Sequence, residues 1–174
     1  NNNLQFIEHN VEEIIEEDSI VIKFNIYEGE KVLVERIDII GNSITNEAVI
    51  RGEMEIDEGD PFTNLSLEKS TANIKSRNIF RKVEHKVIDG SAQNLKKIEI
   101  LVEEKPTGEI SAGAGIGTNG GSFAFTVKEN NYLGEGKNVA FDIQVDADTL
   151  KGTLNYADPN YDFLGNSINY YLTS

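Results

Sequence analysis

The sequence predicts an α+β unit of order β-α-α-β-β followed by a wall of antiparallel strands, and three observations carry that prediction. After Gly108, apolar and polar residues alternate in run after run. Phe123, Phe125 and Val127 form one apolar set; Val139, Phe141, Ile143 and Val145 another; Leu150, Leu154 and Tyr156 a third; Ile168, Tyr170 and Leu172 a fourth. Side chains along a strand alternate faces with period two, so each run reads as a strand with one apolar and one wet face. Between Val32 and Lys105, strand-like runs instead flank stretches with helical spacing. Pro106-Thr107-Gly108 separates the two regions, at a point where charges thin out and glycine becomes dense.

Taken in order, residues 19–28 alternate with Ile20, Ile22, Phe24 and Ile26 on one face, preceded by Val11, Ile14 and Ile15 among glutamates. Asp18-Ser19 fits a hairpin turn, which favours two antiparallel strands, and Gly29 breaks them. Residues 32–40 read as a strand that exits through Gly41-Asn42. Thr45 or Ser43 is expected to cap a short helix ending near Arg51. Gly52 and the run Asp57-Glu58-Gly59-Asp60-Pro61 stop it in an acidic turn. Asn64 or Ser66 is expected to cap a second helix, where Leu67, Thr71, Ile74 and Asn78 share a face. Asn78 suits a left-handed helix end, the best choice there after glycine. Strands over residues 80–88 and 97–105 follow, joined by the polar turn Asp89-Gly90-Ser91. Two helices on one face of a three-stranded sheet bury the apolar side they share.

The chain has 174 residues and a formal charge of −14, which excludes a nucleic-acid partner, because phosphate binding needs a basic face. It has no cysteine, hence no disulfide and no thiolate chemistry. It holds no apolar run of about 18 residues that a membrane-crossing helix would need, but a β-barrel wall passes that test because alternation keeps mean hydropathy low. Four or five alternating strands with polar turns suggest such a wall, with lipid outside and water inside. The chain opens on Asn1 without an initiator methionine and closes inside a strand-like run, so it reads as an internal fragment of a longer protein.

Gly115-Ile116-Gly117-Thr118-Asn119-Gly120 spells a dinucleotide-binding pattern, which requires a helix after its turn. Ser122 to Lys128 alternates as a strand instead, so no nucleotide is expected. His9 and His85 lie far apart and read as solvated residues. Metal-ligand spacing and a nucleophile elbow are both missing. No enzyme, cofactor or metal is expected.

A β-α-α-β-β unit running into a glycine-rich strand resembles the BamA outer-membrane protein assembly factor family, at its last POTRA domain and the start of its barrel. Arg36-Ile37-Asp38-Ile39-Ile40-Gly41-Asn42 resembles the first POTRA strand and its exit. Ala48-Val49-Ile50-Arg51-Gly52-Glu53-Met54 resembles the first helix, Glu58-Gly59 the turn after it, and Ile79-Phe80 with Val83 the entry to the second strand. Val102-Glu103-Glu104-Lys105-Pro106-Thr107-Gly108 resembles the junction. Asn130-Asn131-Tyr132-Leu133-Gly134-Glu135-Gly136 and Asp158-Pro159-Asn160-Tyr161 resemble turns between barrel strands.

The resemblance implies residues 1–30 as the end of a preceding POTRA domain, 31–106 as the last POTRA domain, and 107–174 as the first strands of a truncated transmembrane β-barrel. It implies insertion of β-barrel proteins into a Gram-negative outer membrane, with the POTRA part in the periplasm. The partners implied are unfolded outer-membrane clients, accessory lipoproteins and outer-membrane lipid. Sibling translocation or secretion transporters share this domain plan, and a soluble β-rich binding module is the alternative of another class.

Three sets of residues become candidates. Gly113, Gly115 and Gly117 fall on one face of a single strand. They either leave room inside a crowded barrel or, as in the family, weaken a seam that opens to pair with a client strand. Glu58, with Asp57 and Arg51, aligns with an acidic position where the family docks lipoproteins; a solvated turn carboxylate is the competing reading. Lys82, Glu84 and Lys86 alternate on an expected edge strand, suited to client pairing or to protection against aggregation.

Overall fold

A computed structural model describes residues 7–16, 19–29, 31–118, 120–162 and 165–174. Strands β1 (Ile7–Glu16) and β2 (Ser19–Glu28) form an antiparallel hairpin, a sheet of its own. The expected turn residue Asp18 lies outside the described residues.

Next come β3 (Leu33–Ile40), α1 (Glu47–Arg51), α2 (Asn64–Ser76), β4 (Phe80–Asp89) and β5 (Leu95–Glu104). The sheet has the order β3-β5-β4, with β3 parallel and β4 antiparallel to the central β5. Its core joins Val34, Ile37, Val83, Ile98, Ile100 and Val102 from the strands to Ile50, Leu67 and Ile74 from the helices. Burying each such side chain is worth roughly 1.5–3 kcal/mol, enough to let α1, only five residues long, persist. Gly41 leaves β3 with φ at +101°, and a Cβ there would collide with the Val102 carbonyl. Only glycine makes that exit.

The helix caps differ from expectation. Asn46, not Thr45 or Ser43, caps α1, accepting from Ala48 N. Thr45 and Ser43 are engaged elsewhere: the Ser43 hydroxyl and the backbone amides of residues 43–45 all point at the Glu104 carboxylate. Thr63, one residue ahead of Asn64, caps α2 and accepts from Ser66 N. Asn78 does adopt the left-handed conformation, with φ at 56°. His85 is not a solvated histidine. It is half-buried under α2, its Nδ1 at 2.9 Å from Thr71 Oγ1.

The remainder is one open five-stranded sheet of β6 (Gly108–Gly117), β7 (Gly120–Tyr132), β8 (Lys137–Val145), β9 (Leu150–Asp158) and β10 (Ile168–Thr173). Neighbours are antiparallel and follow chain order. Since β7 follows the glycine run as a strand, the dinucleotide reading has no helix to rest on.

Register brings the separate alternations onto one face. Ile110, Val127, Phe141, Leu154 and Leu172 form one rung across all five strands. Ala114, Phe123, Val145 and Leu150 form another. The opposite face carries Ser111, Thr126, Asp142, Thr153 and Thr173, with Thr126 Oγ1 donating to Asp142 Oδ1 at 2.6 Å. The apolar face stands open: Ile110, Phe123, Phe141, Leu150, Leu154 and Leu172 are all exposed.

Candidate functional site

Open strand edges, those of β6 and β4 among them, and the joint between the three- and five-stranded sheets are features a partner can use. The first edge belongs to β6. It is the outermost strand of its sheet, and among the described residues it pairs only with β7. Its far edge therefore presents backbone N–H and C=O groups with no strand beside them. The lower end of β6 is pinned by side chains: Thr107 Oγ1 donates to Glu129 Oε1, and Asn130 Nδ2 donates to Thr107 O at 3.1 Å. Further up, Gly113 and Gly117 face open space, and a Cβ on Gly115 would meet only the Ser122 hydroxyl. All three register with the polar face, opposite Ala124, Ser122 and Gly120. Within this sheet only the Ser122 hydroxyl approaches them, so most of the room they leave is not taken up by neighbouring described residues.

The second edge is β4, which among the described residues pairs with β5 alone. Lys82 and Glu84 form an exposed ion pair at 2.8 Å beside that edge, and Lys86 continues the charged row. Each partner reinforces the other's charge through this contact, raising the Lys82 pKa and lowering that of Glu84. The other outer strand, β3, is closed by its own chain. Val34 N donates to Asp60 O, Gly59 N to Val34 O and Phe62 N to Val32 O.

Arg51, Asp57 and Glu58 come together at that closed edge. Glu58 Oε1 accepts from Ile37 N at 3.0 Å, while Arg51 Nη2 donates to Ile37 O at 2.9 Å. Arg51 Nη1 lies 3.5 Å from Glu58 Oε1, and Arg51 Nε bonds Glu47 at 2.7 Å. The pair thus satisfies both backbone groups of one edge residue. Asp57 Oδ1 supports the turn by accepting from Glu58 N. Glu58 is a structural clip on the backbone of β3.

Sequence patterning alone does not mark the joint as a site. Its first part is Glu104, whose carboxylate collects the amides of Ser43, Ile44 and Thr45, the last at 2.6 Å. Desolvation pushes this carboxyl up, but the Thr45, Ser43 and Ile44 donors together outweigh it and hold the pKa at about 2. Its second part is the β7–β8 turn, which lies against the loop before α1. Asn131 Nδ2 donates to Thr45 Oγ1 at 3.0 Å, and Asn46 N donates to Gly134 O at 2.8 Å. Gly134, at φ +74°, comes so close to Ile44 that a Cβ would strike the Ile44 carbonyl.

A third part is built on Arg77, largely buried, which donates to Gly136 O at 2.6 Å and lies 3.4 Å from Glu53. Glu53 in turn accepts from Asn160 Nδ2 at 2.6 Å, tying in the β9–β10 turn. Dense glycine in Leu133-Gly134-Glu135-Gly136 was the available signal, since close backbone approach is what such a run permits.

No group of three or more metal-ligating side chains converges among the described residues, and no helix is long and apolar enough to cross a membrane. The arrangement offers backbone pairing, an apolar face and a stiff polar joint.

Residues 32–105 match the POTRA family, described as a surface antigen variable number repeat. The chain is 33% identical over 127 residues to the outer membrane protein assembly factor BamA of Neorickettsia risticii, a match covering 71% of the chain and 17% of that protein. It is 26% identical over 144 residues to BamA of Neisseria meningitidis, covering 82% of the chain and 18% of the relative. The chain thus spans under a fifth of these relatives. Among solved structures, BamA of Haemophilus ducreyi lacking POTRA domains 1–3 superposes with a TM-score of 0.76 at 20% identity, covering 98% of the chain and 33% of that structure. CdiB of Escherichia coli shares the fold more loosely, with a TM-score of 0.53 at 11% identity over 84% of the chain and 28% of that structure.

Proposed function

Given a BamA-like chain with a POTRA domain over residues 32–105, we propose that it works in assembling β-barrel proteins in the outer membrane, by lending backbone pairing to incoming strands. Its place is the outer membrane, with the POTRA part in the periplasm. The observation that carries the proposal is the open β6 edge on a sheet whose apolar face is exposed across all five strands. In this reading residues 107–174 are the first strands of a transmembrane barrel, the apolar face meets lipid, and the polar face lines the lumen. Residues 1–30 finish a preceding POTRA domain and 31–106 form the last one.

An unfolded client strand entering lipid needs partners for its backbone groups, because the hydrocarbon supplies none. The β6 edge supplies them in place. Gly113, Gly115 and Gly117 keep that edge adaptable, since glycine adds backbone freedom and no side chain to pack. In the periplasm, the β4 edge beside Lys82, Glu84 and Lys86 holds clients by the same pairing. The exposed carboxylate of Glu58, flanked by Asp57 and Arg51, faces an accessory lipoprotein. The chemistry is exchange of hydrogen bonds and apolar contact, so no covalent bond is made or broken.

Replacing Gly113 and Gly115 with valine in the full-length protein tests this. Gly113 faces open space and at Gly115 only the Ser122 hydroxyl, 3.2 Å from a Cβ, must give way, so the expected effect comes mainly from stiffening. Two such changes, at about 0.5–1 kcal/mol each, slow client insertion roughly five- to thirtyfold. Insertion at the unchanged rate, with the variant present at normal level in the membrane, contradicts the proposal. A translocating sibling of the same plan is distinguished by the cargo: it exports a soluble chain and leaves barrel clients uninserted.

A further inference from the structure

The joint carries apolar side chains that its own hydrogen bonds do not explain. Ile44, in the loop ahead of α1, is 73% exposed, and Leu133, at the tip of the β7–β8 turn, is 78% exposed. Loop tips ordinarily favour small polar residues. Both line one open groove of about 970 Å³ together with Tyr132, Gly108, Glu129 and Lys105.

Strand register decides which side of the sheet this groove lies on. Gly108 pairs with Glu129 and Glu129 with Val139, in step with Val127 and Phe141 of the apolar face. Beyond the irregularity after Glu129, Tyr132 pairs with Lys137, again in step with Val139. The groove therefore continues the apolar face at its lower end. Its composition changes as a membrane boundary requires: aliphatic rungs above, then the half-exposed ring of Tyr132, with the charged side chains of Lys105, Glu104 and Glu129 lining the same groove. Tyrosine and lysine carry an apolar body and a polar tip, and settle where hydrocarbon gives way to headgroups.

We propose that Ile44 and Leu133 form a foot by which the POTRA domain rests in the headgroup boundary of the inner leaflet, its occupant being lipid. This rests on the lipid-facing reading of the sheet. The Glu104 nest and the Ile44–Gly134 contact hold Ile44 against the turn, so the foot arrives preassembled. Strand pairing then sets not only the barrel wall but the height at which the POTRA domain hangs beneath it.

The chain has no cysteine, which allows single nitroxide labels through Ile44→Cys, Phe141→Cys and Ile88→Cys in the full-length protein, with any cysteines elsewhere removed. The protein is reconstituted in phosphatidylethanolamine–phosphatidylglycerol vesicles. Collision with dissolved oxygen is compared with collision with a water-soluble nickel chelate. The expected result is an oxygen-favouring label at 44, lying about 5–10 Å below the phosphates, a deeper one at 141, and a chelate-favouring one at 88. A label at 44 that behaves like the one at 88, while 141 remains in lipid, overturns the foot and leaves the barrel wall standing. Chelate access at both 44 and 141 overturns the wall and the foot with it. A label at 44 shielded from both colliders marks a protein occupant, such as a client strand, and also overturns the proposal.

Discussion

The POTRA domain and the sheet that follows use the same alternation of apolar and polar residues to opposite ends. Every buried apolar residue of the described chain lies between Val34 and Val102. In the sheet, the corresponding residues are lined up just as regularly, yet they face outward with nothing on them. One region brings helices to cover its apolar side; the other brings none. Regular strand pairing is therefore no guide to whether a region is complete in water. A sheet with one uncovered apolar face is half of a structure, and its other half is the solvent it was selected for.

The widest break in this comparison comes from separating the regions. Residues 31–106 alone should melt cooperatively in buffer, whereas residues 107–174 alone should aggregate without detergent. Calorimetry and sedimentation check both. A monomeric, cooperatively melting 107–174 segment would instead make it a soluble binding module.

Matched truncations come next. Ile98→Ala and Ile74→Ala remove fully buried side chains and should each cost about 2–5 kcal/mol by chemical denaturation of the POTRA domain. Phe141→Ala should leave that transition unmoved and lower stability only in detergent or lipid. Equal losses in water at both kinds of site would erase the distinction.

The joint should respond to pH. Glu104 has its pKa lowered from 4.5 to about 2, so its charged form is favoured by folding. The stabilisation is fully present above pH 4.5 and is lost as pH falls towards 2. Allowing for solvent screening, about 1–2 kcal/mol disappears across that window. Glu104→Gln should flatten this part of the stability profile while wild type keeps it.

Much of the architecture was legible because it is written locally. Alternation located the sheet strands, and Asn78 announced its left-handed turn. What stayed hidden depends on residues far apart in sequence. Thr45 and Ser43 looked like caps because nothing nearby reveals that Glu104, about 60 residues on, claims their donors. Likewise, Asn131 meets Thr45 across 86 residues and Asn160 meets Glu53 across 107. His85 read as solvated because the helix above it is invisible from its own strand. In sequence Glu58 reads as a partner contact, while its bond to Ile37 N, a fold-level duty, shows only in the fold. That duty reshapes the test of docking: Glu58→Gln keeps an acceptor for Ile37 and should retain the fold while weakening lipoprotein co-purification, whereas Glu58→Lys confounds the two.

Smallest of all should be Lys82→Ala. The Lys82–Glu84 pair is exposed, and solvent screening leaves such pairs little to contribute to stability. A shift in client cross-linking at β4 without a shift in melting would separate an edge that binds from an edge that merely avoids aggregation.

The proposed assembly role depends on the free side of β6 receiving a foreign strand within lipid. Cysteines placed singly from Glu109 to Ile116 in the full-length protein, and along a client's terminal strand, measure this by disulfide capture during insertion. The expected pattern is a diagonal of cross-links in one register, strongest while the client is incompletely folded. Capture of β6 only by a fixed strand of its own barrel, at every stage and with every client position silent, contradicts it.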